Sequence, residues 1–309
     1  MGCNTCGIRP AVTIRPSNKM KLCKECFLLA IENQVHLTIQ KTEMFKGVRK
    51  LVVGVSGGKD STVLAHIINL LNKRHGYGID LRLLCIDEGI SGYRDKSIEV
   101  VHMNEKDLAI PLKIISYDEM YGHTMDSVVS KIGRKNNCTY CGVFRRGALE
   151  DGTRHLGGDM IATGHNADDI AETVLLNYFR GDLNRLVKCT HPVTQVNSSE
   201  VVPRCKPLSE VYEKEIVMYA FYNKLPYFST ECKYSPGAFR GFARTYIKAL
   251  EKTNPQVILK IIESGNHVQK AAHTMKSHIC RACGKTCSSA EKTCKSCLLL
   301  KTLEAPECP

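Results

Sequence analysis

Nowhere in the 309-residue chain is there a run of about 18 uncharged apolar residues, so no segment is long and apolar enough to be read as a membrane span. The first twenty residues also lack the apolar core of a signal peptide, and neither a solenoid-type repeat nor a low-complexity tract is present. A cytoplasmic protein with no membrane partner is therefore expected. Acid is the scarcer charge: 31 Asp and Glu stand against 43 Lys and Arg, and the net +12 raises the expectation of a polyanionic partner such as RNA. A solvated basic surface would give the same sum, so clustering matters more. A hydrophobic fraction of 43% with 24% charged residues places the chain among ordinary globular proteins.

Cysteine, in contrast, is abundant. Ten of the sixteen lie in C-x-x-C pairs, and in a long chain without an export signal that pattern reads as metal binding rather than as a disulfide framework. Cys3 and Cys6 are followed by Cys23 and Cys26; Cys280 and Cys283 are followed by Cys294 and Cys297. Each set supplies four thiolates at the spacing of a structural zinc site, where the ion substitutes for a core too small to fold alone. Disulfides or independent redox pairs are the competing reading. Cys287 and Cys308 have no partner in the pattern. The fifth pair, Cys138 and Cys141 in NNCTYCGVFRR, stands alone, and one pair leaves a metal under-ligated or marks redox chemistry.

Three units are expected: a zinc module with a linking helix over 1–45, a catalytic domain over 46–235, and a basic helical segment with a second zinc module over 236–309. Phe27, Leu28, Ile31, Val35 and Ile39 predict a helix near 26–44. In the middle unit LVVGV (51–55) is the continuous β-branched run of a buried parallel strand, and Val63, Leu64, Ile67, Ile68 and Leu71 form a helical stripe after it. DLRLLCID (80–87), PLKIIS (111–116) and DMIATGH (159–165) read as further strands with helical patterns between them. The class is α/β with a mostly parallel sheet. Ligands bind at the carboxyl ends of such strands, where the loops after Val55, Asp87 and His165 converge.

The loop after the first strand is Gly54-Val55-Ser56-Gly57-Gly58-Lys59-Asp60-Ser61. It is not a Walker A loop, because the first glycine of that pattern would fall on Val53 and Asp60 occupies the place of the Mg²⁺-binding hydroxyl. It is nevertheless well made for an anion: adjacent glycines open the backbone N–H groups, Ser56 and Ser61 add hydroxyls, Lys59 adds charge, and the next helix points its positive end there. SGGKDS resembles the pyrophosphate loop of PP-loop ATPases, a branch of the adenine nucleotide α-hydrolase fold. The resemblance implies cleavage of ATP between its α and β phosphates, with adenylation of a substrate carbonyl. Downstream, Gly164, His165, Asn166, Asp168 and Asp169 close a strand and open a helix. Two aspartates suit a first helical turn for structural reasons alone. The resemblance implies a second role, lining the nucleotide pocket, with Asp169 favoured for Mg²⁺ ligation or proton removal.

Cys138 and Cys141 precede Arg145 and Arg146 and belong near the mouth of the same pocket. Cys232, in a Pro/Gly-bounded loop, is the best candidate for a third ligand; Cys85 lies inside a strand, and Cys189 and Cys205 flank a Pro-rich connection. Three thiolates on a [4Fe-4S] cluster leave one iron open to an exogenous sulfide. Taken together, the terminal CxxC pairs, SGGKDS, DEGISGYRD, CTYCGVFRR, TGHNADD and ECKYSPGAFRG resemble the cytoplasmic tRNA 2-thiolation protein 1 family over nearly the whole chain. That resemblance implies thiolation of a tRNA uridine, most often at the wobble position. It implies Cys138, Cys141 and Cys232 as cluster ligands, ATP on the SGGKDS loop with Asp87, Gly164, His165 and Asp168 around it, and two terminal Zn²⁺ ions. Arg145 stands where some relatives have lysine, which is not an equivalent cation. A ubiquitin-like thiocarboxylate carrier and a related partner subunit, or a homodimer, are implied as well.

The uridine C2 is an unreactive urea-like carbonyl, so activation by ATP has to precede sulfur attack. A persulfide on one of Cys141 and Cys232, released by the other through a disulfide without a cluster, is the alternative route, a PP-loop ligase using an amine is another, and a zinc-ribbon tRNA-binding scaffold with a vestigial loop is a third. The helix of SPGAFRGFARTYIKALEK places Arg240, Arg244 and Lys248 on one face for tRNA phosphates, with Phe239, Phe242, Ala243, Tyr246, Ile247 and Leu250 as its buried side.

Overall fold

In the computed structural model, which describes residues 2–134, 136–194, 201–230, 232–235, 239–270, 278–287 and 291–304, the apolar run at 51–55 is a buried central strand. Cys308, and Pro236 to Ala238 ahead of the basic helix, lie outside the described residues. The chain opens with a hairpin, β1 (Thr13–Ile14) and β2 (Lys21–Leu22), and helix α1 (Lys24–Lys41). There follow β3 (Lys50–Val55), α2 (Lys59–His75), β4 (Asp80–Asp87), α3 (Arg94–Leu108) and β5 (Leu112–Ser116). The short helices α4 (Tyr117–Tyr121) and α5 (Met125–Ile132) lead into α6 (Asn137–His155). Next come β6 (Met160–Ala162), α7 (Ala167–Phe179), α8 (Leu183–Cys189), β7 (Arg204–Cys205) and α9 (Glu213–Asn223). The last elements are α10 (Phe239–Thr253), α11 (Val257–Lys270), the hairpin β8 (His278–Ile279) and β9 (Thr286–Cys287), and α12 (Lys295–Glu304).

The central sheet has the order β5-β4-β3-β6-β7 and every neighbouring pair is parallel. From β3 the chain moves outward to β4 and β5, then returns to the other side of β3 for β6 and β7. The switch point is therefore between β3 and β6, and a crevice opens there at the carboxyl ends. Alternation along the strands feeds two cores. Leu51, Val53, Val55, Leu83 and Cys85 face one layer with α1, α2 and α9, whereas Val52, Leu84 and Ile86 face α6 and α12.

The N-terminal hairpin is tied into the first of these cores. Phe27, Ile31 and Val35, one turn apart on α1, are fully buried, each contributing roughly 1.5–3 kcal/mol of apolar burial. Arg15 donates to Glu215 at 3.0 Å in a buried pair, and the Ser17 hydroxyl donates to the same carboxylate at 2.6 Å. Removing either charge of that pair is expected to cost about 3–5 kcal/mol, because the other stays buried alone.

Three differences from the sequence reading have physical causes. The strand expected over 159–165 ends at Ala162: the Thr163 N–H still meets the Cys205 carbonyl at 3.0 Å, and Gly164 and His165 then turn the chain into α7. Strand β7 is two residues long, too short to show a period, and is held by the β6 ladder and by an isolated bridge between Val193 and Cys205. Helix α10 is rotated from the expected setting. Ala243 and Ile247 are buried, but Phe239, Phe242 and Tyr246 are exposed, because Arg240, Arg244 and Lys248 turn inward to carboxylates of the pocket.

Candidate active site

The loop between β3 and α2 bends on Gly57, whose φ is +71°; a Cβ there would come within 2.5 Å of the Ser97 carbonyl oxygen. Gly58 is the N-cap of α2 and has no side chain to occupy the helix's first N–H groups. Ser61 ties the loop to itself: its hydroxyl accepts from the Ser56 N–H at 3.1 Å and donates to the Gly58 carbonyl at 3.0 Å. Gly54 and Val55 are strand residues beneath the loop, and Val55 belongs to the core. Across the switch point, Gly164 lets the β6 turn close on the start of α2, where a Cβ would sit 3.0 Å from backbone atoms of Asp60 and Ser61.

A cavity of about 440 Å³ opens on this loop, lined by Gly58, Lys59, Asp60, Asn166, Asp168 and Asp169 among others. Its wall is acidic. Lys59 is paired with Asp60 at 3.1 Å and Glu213 at 3.0 Å, and although burial opposes its charge these two carboxylates hold its pKa above the usual value. Asp60 also accepts from the Asn166 side chain at 2.9 Å. Asp169 closes a capping box with Asn166, so it has a structural role in starting α7. Burial pushes its carboxyl up to about 6, with Asp60 and Glu172 adding to the rise and Arg240 opposing it. Arg240 bridges Asp169 at 3.1 Å and Glu172 at 2.5 Å, Arg244 meets Glu172 at 2.8 Å, and Lys248 meets Asp168 at 2.5 Å and Glu213 at 3.0 Å. Burial would raise Glu213, but Lys59 and Lys248 pull it down to about 2. The three cations expected on an RNA-facing surface are thus engaged by this wall. Asp87 lies apart from it, accepting from the Gly89 N–H at 2.8 Å and paired with Arg94 at 3.0 Å.

Cys138 and Cys141 lie on the first turn of α6, three residues apart and so on one face. The loop carrying Cys232 is pinned against them: Asn137 donates to the Tyr234 carbonyl at 3.4 Å, the Tyr234 hydroxyl donates to Asp126 at 2.7 Å, and Lys233 pairs with Asp126 at 3.1 Å. Burial pushes the Cys138 and Cys141 thiols up, and the charge of Cys232 adds to both rises. Arg145 opposes them, donating to the Cys141 sulfur at 3.2 Å while it pairs with Glu88 at 2.8 Å. Tyr117 donates to the Cys141 carbonyl at 2.8 Å.

Two contacts join this thiol site to the glycine loop. The Phe228 N–H donates to the Gly57 carbonyl at 2.8 Å, and the Phe228 ring meets Tyr93 edge-on at 5.4 Å. Tyr93, whose hydroxyl pKa is raised by burial and then by Glu88, also lies within the electrostatic reach of Cys232 and Cys141. The Tyr93–Phe228 pair thus lies between the surroundings of the thiols and the glycine loop.

Among the described residues, two groups bring one sulfur each within 4.8 Å of one another: Cys3, Cys6, Cys23 and Cys26, and Cys280, Cys283, Cys294 and Cys297. A tetrahedral zinc ion with Zn–S bonds of about 2.3 Å needs that closeness. Main-chain N–H groups of Cys6 and Cys23 pull the Cys3 thiol down to about 6, and those of Cys294 and Cys283 do the same for Cys280. Cys138, Cys141 and Cys232 are not such a group.

On the far side of the Thr163–His165 turn the charge changes sign. His165, whose ring accepts or donates to the Thr163 hydroxyl at 2.8 Å, is pushed down to about 4 by surrounding protein and then by Lys206, Arg240, Arg204 and Arg145. The surrounding protein lowers Arg146, Arg204 and Lys206 as well, the last to about 8, and for Arg146 the neighbouring Arg204, Arg185 and Arg145 add to the fall. The sequence reading named His165, Arg146 and Asn166 but missed Arg204 and Lys206, together with Glu172, Glu213 and Phe228. Glu172 follows Asp169 by three residues on α7 and was findable from helix spacing; Glu213 and Phe228 come from segments with no local signal.

The comparisons agree with this geometry. The PP-loop domain family matches residues 29–250. A protein of Drosophila erecta named cytoplasmic tRNA 2-thiolation protein 1 is 54% identical over 300 residues, 96% of this chain and 86% of its own length. The protein of that name from Arabidopsis thaliana is 52% identical over 303 residues, 97% of this chain and 84% of its own. Among solved structures, the U34-tRNA thiolase NcsA from Methanococcus maripaludis with its [4Fe-4S] cluster superposes with a TM-score of 0.83 at 30% identity, covering 99% of this chain and 98% of that one.

Proposed function

Because the chain belongs to the cytoplasmic tRNA 2-thiolation protein 1 family and is a PP-loop tRNA sulfurtransferase, we propose that it acts in the cytoplasm on the wobble uridine, adenylating its C2 oxygen with ATP and exchanging that oxygen for sulfur. The observation that carries the reading is the juxtaposition of Cys138, Cys141 and Cys232 with the Gly57–Gly58 cradle through Phe228 and Tyr93.

In the first step the uridine O2 attacks the α phosphate and pyrophosphate leaves. The N–H groups at the start of α2 and the ammonium of Lys59 balance the charge that grows on the departing group. Sulfide then attacks C2 and AMP departs carrying the former O2, so the exchange involves no net oxidation or reduction. Asp60 and Asp169 line the cavity beside Lys59 and offer the hard oxygen donors that suit a Mg²⁺ ion accompanying ATP. Holding uridine, ATP and sulfide in one crevice lowers the entropic part of the barrier.

The soft donors of Cys138, Cys141 and Cys232 fit a [4Fe-4S] cluster; three thiolate ligands leave one iron open to hold sulfide. Arg145 places a fixed cation against Cys141 and favours its thiolate. The two cysteine quartets fit zinc, and their role is to hold the chain ends in register with the core. For sulfur supply and assembly we assign a ubiquitin-like thiocarboxylate carrier and a related subunit or second copy; family resemblance supports both.

Purified anaerobically and given ATP, sulfide and tRNA, the protein is expected to form AMP, pyrophosphate and a 2-thiouridine nucleoside detectable by mass spectrometry. Lys59→Ala is expected to lose that product. Absence of AMP formation in the wild type, or undiminished thiolation in Cys232→Ser, would refute the assignment.

A further inference from the structure

The cations around the Thr163–His165 turn divide into two sets. On the α10 side, Arg240, Arg244 and Lys248 each meet a carboxylate within hydrogen-bond distance. On the other side, among the described residues, Arg146 and Lys206 meet none, and Arg204 has Glu150 at 3.6 Å. The side chain of Arg146 is exposed and, among the described residues, has no carboxylate within 4.0 Å. Among the described residues, Lys206 donates to main-chain oxygens alone, those of Cys189 at 2.7 Å and His191 at 2.9 Å. Arg204 donates to the Arg146 carbonyl at 2.6 Å; its acidic neighbour Glu150, at 3.6 Å, is shared with Arg154. Arg185, paired with Asp182 at 3.2 Å, adds a further positive charge near Arg146.

Bringing several cations together with few carboxylates is costly, and such a cluster is a ready place for an anion that balances it. The place is informative. Arg146 follows Cys141 on α6, and Arg204 and Lys206 bracket Cys205, whose carbonyl accepts from the Thr163 N–H at 3.0 Å. The set thus flanks the crevice beside both the thiols and the β6 turn, on the side away from Lys59 and the α2 N-terminus.

We propose that Arg146, Arg204 and Lys206 form the contact for the RNA backbone, holding phosphates next to the uridine that enters the crevice. This rests on the tRNA-thiolation reading and adds where the polynucleotide lies. Phosphate oxygens of ATP have the same chemistry, but the cradle on the opposite flank already supplies the amides and the lysine for them. A single nucleotide cannot span both flanks as a chain of phosphates does. A positive track beside a base pocket also matches the way single-stranded loops are taken up, with the backbone tracked by charge while the base leaves its stack.

The test reads binding rather than turnover. The full chain, purified anaerobically, is titrated against a labelled stem-loop RNA with a loop uridine across a series of salt concentrations, and separately against ATP. Arg146→Gln is expected to weaken RNA binding roughly fivefold at moderate salt, and each cation removed should lower the salt slope by about 1. Arg146→Glu should weaken it further. Arg82→Gln, at the amino end of β4, removes the same charge far from the crevice and should leave binding unchanged. ATP affinity should be unaffected in all three. Wild-type RNA affinity and slope in both Arg146→Glu and Lys206→Gln would overturn the proposal; so would loss of ATP affinity with RNA binding intact. A wild-type chain that binds RNA through these residues yet forms no thiouridine would fail the functional reading and leave this one standing.

Discussion

The two cysteine quartets and the cysteine triad are made of the same side chain but are assembled in different ways. In each quartet the second cysteine of the first C-x-x-C is followed by a glycine with positive φ, Gly7 at +67° and Gly284 at +72°, which turns the chain so that backbone N–H groups point back at sulfur. The geometry is local, the four sulfurs are close, and a metal there would be coordinatively closed. Cys138 and Cys141 are instead carried on one helical turn, and Cys232 is delivered to them from a loop held by Asp126, Lys233 and Tyr234. Burial raises the triad's Cys138 and Cys141 thiols where main-chain donors lower the leading thiol of each quartet. Local knuckles make staples, whereas a site that must admit substrate is built by tertiary packing around an open position.

The largest test of that contrast is Cys232→Ser. Thiolation is expected to fall by at least about 10³-fold, with iron lost and both zinc ions retained in metal analysis. Equal loss of zinc would erase the distinction between triad and quartets. Lys59→Ala should come next, lowering the rate about 10²-fold in steady-state assays while iron and zinc contents stay at wild-type levels. Cys294→Ser probes the other side: one zinc lost, iron kept, and stability reduced by about 3 kcal/mol in denaturant titrations. That cost reflects α12, whose Leu299 and Leu303 are buried against the α6 core and whose Thr302 hydroxyl meets Tyr140 at 2.8 Å. Thiolation in Cys294→Ser should fall less than in Cys232→Ser.

The smallest effect concerns pH. Burial lowers Lys206 to about 8, and the groups facing it are Cys189 and His191 from the end of α8 and His165 from the β6 turn. A phosphate beside it favours the ammonium, so RNA binding raises this pKa and takes up a proton. Affinity is therefore expected to weaken severalfold as pH rises from about 7 to about 9, and Lys206→Met should flatten that dependence. An unchanged pH profile in the variant would show that Lys206 does not meet the RNA.

Much of this was legible in the residues. LVVGV and DLRLLCID are strands with nearly the expected bounds, and the quartets follow from spacing alone, because knuckle geometry is fixed within a few residues. The glycine loop was legible for the same reason, as Gly57 and Gly164 mark close backbone approaches. Contacts made across the sheet were not. Nothing near Glu213 announces that it meets Lys59, and the α10 pattern of aromatics and cations reads as an apolar face with a basic back. Only the carboxylates of α7 turn that helix the other way, engaging Arg240, Arg244 and Lys248 in ion pairs and exposing Phe239, Phe242 and Tyr246. The basic set at Arg146, Arg204 and Lys206 was hidden similarly, because Arg146 lies on α6, far in the chain from Arg204 and Lys206, and is brought to them by the packing of α6 on the sheet.

The account turns on whether the three thiols hold a different metal group from the eight in the quartets. Mössbauer spectroscopy with zinc and iron quantitation on the anaerobically purified chain addresses this directly. About four irons in a [4Fe-4S] signature and about two zincs per chain are expected, with the iron signal absent and the zinc unchanged in Cys232→Ser. A chain that thiolates tRNA fully while carrying zinc and no iron would contradict it.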